Sequence, residues 1–228
     1  MKSLKKVAGV VCASLITFGA VAQTRDKTVE ESYLSSVEDV VITELAKSDE
    51  RDNKLVALQY LESAVNEGRV TPDMVAALDS LAGEGIASQT RENGRLMNNY
   101  PDIRAKACEL LGKVATEEAK HSLVKIALND NEPMVLSSAV RSLGDIGSNE
   151  GDEVVNTIVW ANKGNRILNP TSSLALEVVI ALEKLADSTE DKRELIQEVS
   201  KIATDYHYVT PVRTRALELL KRLQSSGR

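Results

Sequence analysis

The chain has 228 residues, enough for one domain or a short array of repeats, with 43% hydrophobic and 27% charged residues. Aromatic residues make up only 3%, which disfavours an all-β sandwich, because strands are enriched in aromatic and β-branched side chains. The net charge of −6 argues against nucleic acid as a partner, since nucleic-acid-binding domains are normally basic.

Residues 1–22 have the three regions of a secretory signal peptide. A basic start contains Lys2, Lys5 and Lys6, an apolar run follows over residues 7–21, and Ala20-Val21-Ala22 fits a small-residue cleavage site. The sequence therefore predicts an exported protein.

Cleavage would leave a mature chain, residues 23–228, which we expect to form a single domain in the periplasm or outside the cell. The alternatives are weaker. A membrane anchor needs about 20 apolar residues, and a lipid anchor needs a cysteine at the end of the apolar run, whereas Cys12 lies in its middle. Cys108 would be the one remaining cysteine, so no internal disulfide is expected.

A pattern of Ala, apolar, polar, any residue and Leu occurs five times beyond the signal peptide. Its alanines are Ala57, Ala107, Ala139, Ala181 and Ala216. Around Ala107, the residues Ile103, Leu110 and Val114 follow the spacing of an amphipathic helix. Four of the segments have a proline near their start, where the first turn of a helix tolerates it. We call these segments the A helices.

A second apolar pattern lies between the A helices and ends in a Leu or Ile followed by Ala or Val. Its copies begin at Ile42, Leu78, Leu123, Val155 and Val199. These are the B helices, each with one apolar face. The chain therefore reads as five B–A pairs, and no strand-length alternating segment competes with this interpretation.

The segments Pro101–Gly112 and Thr210–Ala216 resemble the HEAT repeat, in which a proline and an apolar–Arg pair precede Ala and Leu at helical spacing. Arg104 and Arg213 are the matching arginines, whereas the segment that begins at Pro133 lacks one. The resemblance covers most of residues 28–223 and is closest to the HEAT-like type of bacterial proteins and phycobilin lyases. It implies an all-α fold, an α-solenoid of about five HEAT-like helical-hairpin repeats that share one core.

Few residues could take part in catalysis or bind a metal or cofactor. Cys108 aligns with apolar residues of the other A helices, so we expect it in the core rather than as a reactive thiol. His121 and His207 are not followed by Glu, so the His–Glu iron ligands of hydroxylases built on HEAT repeats are missing. Phosphate-loop and serine-nucleophile motifs are absent too. We expect no enzyme activity, no cofactor and no metal site.

A binding surface on the B helices is the remaining candidate. The positions opposite the core form a strip that includes His121, Lys125, Glu153, Thr157, Trp160, Gln197 and Lys201. The resemblance places B helices on the inner face of the solenoid, so we expect this layer-B strip to be concave and to bind a protein. Trp160 is either an exposed anchor or packs sideways on a neighbouring repeat, as Leu128 would; we favour packing.

Two irregular stretches interrupt the predicted array, at residues 83–100 and 162–169. Insertions in repeat proteins often lie on a binding face, although long loops also serve as plain linkers. Arg91 and Arg95 give the first stretch two basic residues.

These features together predict an exported, non-catalytic scaffold that binds an envelope or secreted protein. We expect a monomer or a partner-dependent complex, with no membrane anchor after cleavage and no bound nucleic acid. One alternative is a periplasmic chaperone or assembly factor that captures unfolded clients. Another is a lyase or a carrier of a small hydrophobic ligand, which only the resemblance to bilin lyases suggests.

Overall fold

Ten α-helices follow one another in the computed structural model of the protein, which describes residues 28–226. They are α1 (Val29–Lys47), α2 (Arg51–Asn66), α3 (Pro72–Ala82), α4 (Pro101–Val114), α5 (Glu117–Asn129), α6 (Pro133–Ile146), α7 (Glu153–Leu168), α8 (Ser172–Leu185), α9 (Lys192–Thr204) and α10 (Thr210–Ser226). Two short strands, β1 (Arg91–Glu92) and β2 (Arg95–Leu96), lie between α3 and α4. The predicted signal peptide and its cleavage site lie outside the described residues.

The helices form two layers, as an α-solenoid of five helical hairpins requires. Layer B contains the odd-numbered helices and layer A the even-numbered ones, and each helix contacts the next helix of its own layer. The predicted order of B and A helices is confirmed. A single helix pair is too small to bury its own apolar face, so this stacking is what creates the core.

One continuous core runs between the two layers. All ten residues that mark the predicted A and B patterns are buried, namely Ala57, Ala107, Ala139, Ala181, Ala216, Ile42, Leu78, Leu123, Val155 and Val199. Apolar side chains three or four residues apart lie on the same side of a helix, which is why the repeating pattern identifies the buried face.

The helices of layer A approach one another most closely in the middle of the array. A Cβ atom added at Gly112 would lie 2.5 Å from the Cβ of Ser142, and one added at Gly144 would lie 2.7 Å from the Cβ of Ala181. The contacts of α6 with α4 and with α8 are the most extensive between any two described helices. α6 is therefore packed tightly against both of its neighbours in layer A, and the concave position of layer B stays a prediction.

The two stretches that were expected to be irregular differ in structure. Residues 162–168 continue α7, because Asn162 and Asn165 are buried and the amide Nδ2 of Asn162 donates to Glu198 Oε1 at 2.7 Å. Residues 83–100 leave the helical array and contain the β1–β2 hairpin. Within residues 28–226, no helix has both the length and the apolar character to cross a membrane.

Candidate functional site

The layer-B strip lies on three consecutive helices. His121 and Lys125 are on α5, Glu153, Thr157 and Trp160 on α7, and Gln197 and Lys201 on α9. Six of these side chains are exposed or partly exposed. Thr157 is the exception, with only 5% of its surface exposed, because it shares a side of α7 with the buried residues Val154 and Ala161. The strip is therefore interrupted at its centre, and Thr157 is not accessible to a partner.

Trp160 is 63% exposed, so the packing that we favoured for it is wrong. It borders a shallow recess of about 50 Å³ with Leu128 of α5 and with Gly164 and Leu168 of α7. Leu128 and Leu168 are themselves 45% and 70% exposed. Trp160, Leu128 and Leu168 form an exposed apolar group, which we call the Trp160 patch.

Gly164 lines the recess beside Trp160. It lies inside α7, where glycine costs about 0.5–1 kcal/mol relative to alanine. A Cβ atom at this position would meet no atom within 4 Å, so packing inside the protein does not require the glycine. Its effect is to leave the recess beside Trp160 open to a side chain from outside.

Buried polar contacts hold α7 against α9 behind the Trp160 patch. Glu198 of α9 has no exposed surface, and its Oε1 accepts hydrogen bonds from Asn162 Nδ2 at 2.7 Å and Arg166 Nη1 at 3.0 Å. Lys201 Nζ lies 3.7 Å from the other oxygen of Glu198, so part of its charge is already balanced within the protein. These contacts fix the backbone on which the patch is displayed.

A second recess of layer B lies between α3 and α5, with a volume of about 550 Å³. Its lining includes the apolar residues Val70, Val75 and Val114, and the carboxylates of Asp79 and Glu118. The contact between α3 and α5 is smaller than the contacts of α6 with α4 and with α8 in layer A. It could hold an apolar side chain beside a basic group.

The insertion at residues 83–100 is a hairpin with a fixed base. Asn93 and Gly94 have positive φ angles of 49° and 80°, and Glu92 pairs with Arg95 across them. An Asn-Gly pair favours such a two-residue turn, so the sequence did contain a signal for the hairpin that our interpretation missed. Arg91 of β1 and Arg95 of β2 are both exposed.

A chain of buried polar side chains joins the base of the hairpin to the helices. Lys54 Nζ donates to Glu84 Oε2 at 2.8 Å, and Asn98 Nδ2 donates to Glu84 Oε1 at 2.6 Å. Arg104 donates from Nη1 to the carbonyl oxygen of Glu84 and from Nε to Asp130 Oδ2, at 3.2 and 2.7 Å. Sequence reasoning singled out only Arg104 of these residues, because the apolar–Arg pair is part of the repeat pattern. The network anchors the base of the hairpin to α2 and α4.

Cys108 has no exposed surface, and burial raises the pKa of its thiol to about 12. Its predicted core position is confirmed, and a thiol with this pKa carries almost no reactive thiolate near neutral pH. Among residues 28–226, no group of three or more His, Cys, Asp or Glu side chains is arranged to hold a metal ion. His121 and His207 both lie at the surface.

Layer A presents charged side chains that pair across neighbouring helices. Lys106 of α4 pairs with Glu62 of α2 at 2.7 Å, and Arg141 of α6 pairs with Glu177 of α8. Glu183 of α8 accepts from both Arg215 and Arg222 of α10. These pairs connect one repeat to the next and leave fewer free charges on this face for a partner.

Residues 95–163 match the family model described as HEAT repeats. This segment runs from β2 through α4, α5 and α6 into α7, so it contains Arg104, Asp130 and Trp160. The match supports a HEAT-repeat protein, and repeats of this family generally act as non-catalytic scaffolds for protein interaction. No curated protein matches the chain.

Proposed function

We propose that the protein is an exported, non-catalytic scaffold that binds a protein partner in the cell envelope through the Trp160 patch. Export rests on the predicted signal peptide, and the interaction role rests on the HEAT-repeat match. The observation that carries the proposal is the exposure of Trp160 above an open recess. Tryptophan is enriched among the residues that dominate binding energy at protein interfaces, especially where it can enter a water-excluding pocket.

The neighbouring side chains indicate which kind of partner fits. Leu128 and Leu168 flank Trp160 with apolar surface, and the polar residues Lys125 and Glu153 lie nearby on the strip. An apolar centre with a polar rim is the usual anatomy of a non-obligate protein interface. The partner would therefore present an apolar side chain that enters the recess over Gly164.

Affinity capture from an envelope extract tests this proposal with three baits. The first bait is the unchanged protein, the second carries Trp160→Ala and Leu168→Ser, and the third carries Met134→Ala. Met134 is a matched control because it is 58% exposed on α6, which belongs to the other layer. We expect one protein on the first and third baits and its loss from the second.

Fluorescence gives a second readout, because Trp160 is the single tryptophan of the chain. Its emission should be that of a solvated indole and should shift to shorter wavelength when the captured partner is added. Equal capture by all three baits, or an unshifted emission at saturating partner, would contradict the proposal. Many unfolded clients on every bait would favour the chaperone alternative, and a stoichiometric small molecule in the purified protein would favour the carrier.

A further inference from the structure

The first two described helices have an apolar outer face. On α1, Tyr33, Leu34, Val37 and Val41 are all exposed, and on α2, Val56 and Tyr60 are exposed. We call these six residues the N-terminal end face. Val56 and Tyr60 lie on the side of α2 away from Glu62, which pairs with α4, so they face the direction in which a preceding repeat would stack. A terminal repeat normally has a polar outer face, because no further repeat covers it.

The last two described helices have a smaller apolar outer face. Ile196 of α9 and Leu217 of α10 are 40% and 46% exposed. Leu217 lies on the side of α10 opposite Arg215, whose guanidinium reaches Glu183 of α8. Ile196 lies on the side of α9 opposite Glu194, which pairs with Lys163 of α7 at 2.7 Å. Ile196 and Leu217 therefore point away from the array, and we call them, with Lys192 and Arg213, the C-terminal end face.

The two end faces carry opposite charges that have no ion-pair partners among the described residues. Glu30 and Glu44 are exposed on the same side of α1 as Val37. Lys192 and Arg213 stand next to Ile196 and Leu217 by helical spacing. Arg213 makes one hydrogen bond, from Nη2 to Thr210 Oγ1 at 3.2 Å, and its buried Nε has no hydrogen-bond acceptor.

We propose that the C-terminal end face of one copy binds the N-terminal end face of a second copy, so that the solenoid continues from copy to copy. The last repeat of one copy would then cover the apolar surface of the first repeat of the next. Opposite charges select this arrangement, because Lys192 and Arg213 would meet Glu30 and Glu44. Pairing of two N-terminal end faces would instead bring four glutamates together. A head-to-tail contact of this kind does not close after two copies, so short chains of copies form.

Sedimentation velocity on purified protein tests this arrangement with one variant at each end. The N-terminal variant carries Val37→Lys and Val41→Lys, and the C-terminal variant carries Lys192→Glu and Leu217→Glu. Met134→Lys on α6 is the matched control, because it places a lysine on an exposed apolar position away from both ends. The unchanged protein and the control should form larger species as concentration rises, and high salt should reduce them.

Each end variant alone should stay monomeric, because each lacks one of the two required faces. An equimolar mixture of the two variants should form dimers and nothing larger, since each contributes one intact face. The mixture also controls for folding, because an unfolded variant could not supply its intact face. Monomeric unchanged protein at all concentrations would overturn the proposal. Persistent dimers of the C-terminal variant alone would overturn it as well, since they would require N-terminal faces to pair with each other.

Discussion

The guanidinium of Arg104 and the carboxylate of Asp130 form a buried two-point contact, with Nε–Oδ2 and Nη2–Oδ1 distances of 2.7 and 3.3 Å. Each side chain is only 2% exposed. The contact joins the start of α4 to the residue after α5, and Arg104 also reaches the base of the hairpin. One ion pair therefore holds together three segments of the array.

We expect Asp130→Asn to lower the free energy of unfolding by about 3–5 kcal/mol, because the charge of Arg104 would remain buried without its partner. Urea unfolding followed by circular dichroism measures the loss. Lys184→Gln is the control, since its partner Asp145 and Lys184 itself are 49% and 45% exposed, and such a surface pair should contribute no more than about 1 kcal/mol. Similar losses for the two variants would show that the Arg104 pair is not a structural centre.

Two glycines inside helices should respond to alanine with opposite signs. At Gly144 the new methyl group would lie 2.7 Å from Ala181 Cβ and force α6 away from α8, which we expect to cost about 1–3 kcal/mol. At Gly164 the methyl group meets nothing within 4 Å, so Gly164→Ala should stabilise the protein by about 0.5–1 kcal/mol. Thermal unfolding of both variants against the unchanged protein gives the comparison. A stabilising Gly144→Ala would contradict the close approach of the layer-A helices.

Cys108 should react with thiol reagents only when the protein unfolds. Burial raises the pKa of its thiol to about 12, above the value of about 8.5 for a solvated cysteine. The folded state therefore binds this proton more tightly than the unfolded state does. The resulting contribution to the free energy of unfolding is complete below the ordinary pKa and is lost as pH rises toward 12. Labelling at pH 8 with and without urea, with the modified residue identified by mass spectrometry, measures this protection. Fast modification of Cys108 in the native protein would place the thiol outside the core.

Asp152 should make stability depend on acid pH. Its carboxylate accepts hydrogen bonds from the backbone amides of Asp191 and Glu190 at 2.8 and 2.9 Å, and these bonds lower its pKa. A lowered folded-state pKa gives a stabilisation that is present above the ordinary pKa of about 3.9 and lost as pH falls through the folded value. Asp152→Asn should therefore destabilise the protein near pH 7, and the difference should shrink below about pH 4.

Asp152→Asn suits this measurement because asparagine tolerates the positive φ of 60° at this position. Asp187→Asn is the matched control, since Asp187 is an exposed aspartate on the nearby turn after α8. A constant difference between the unchanged protein and Asp152→Asn from pH 7 to pH 3 would show that the amide bonds do not favour the charged carboxylate.

The sequence by itself determined the helices and the core. The alanines and leucines of the repeat recur at helical spacing, and burial follows directly from that periodicity because each residue advances by a constant angle around the helix. Cys108 could be placed by the same argument, since its equivalents in the other A helices are apolar. Six of the seven residues named for the predicted layer-B strip also reached the surface, with Thr157 as the exception.

Only the tertiary structure decided how exposed each side chain is and which side chains it contacts. Trp160 and Thr157 occupy the same helix, yet the first is exposed and the second buried, because neighbouring helices cover one side of α7 more than the other. The tight packing in the middle of layer A likewise depends on contacts between helices far apart in sequence, such as Gly144 against Ala181. The joining of Lys54, Glu84, Asn98 and Arg104 into one network required the hairpin to fold back on the array. Helical periodicity is a local property, whereas spacing, exposure and side-chain partners are set by how separate repeats pack.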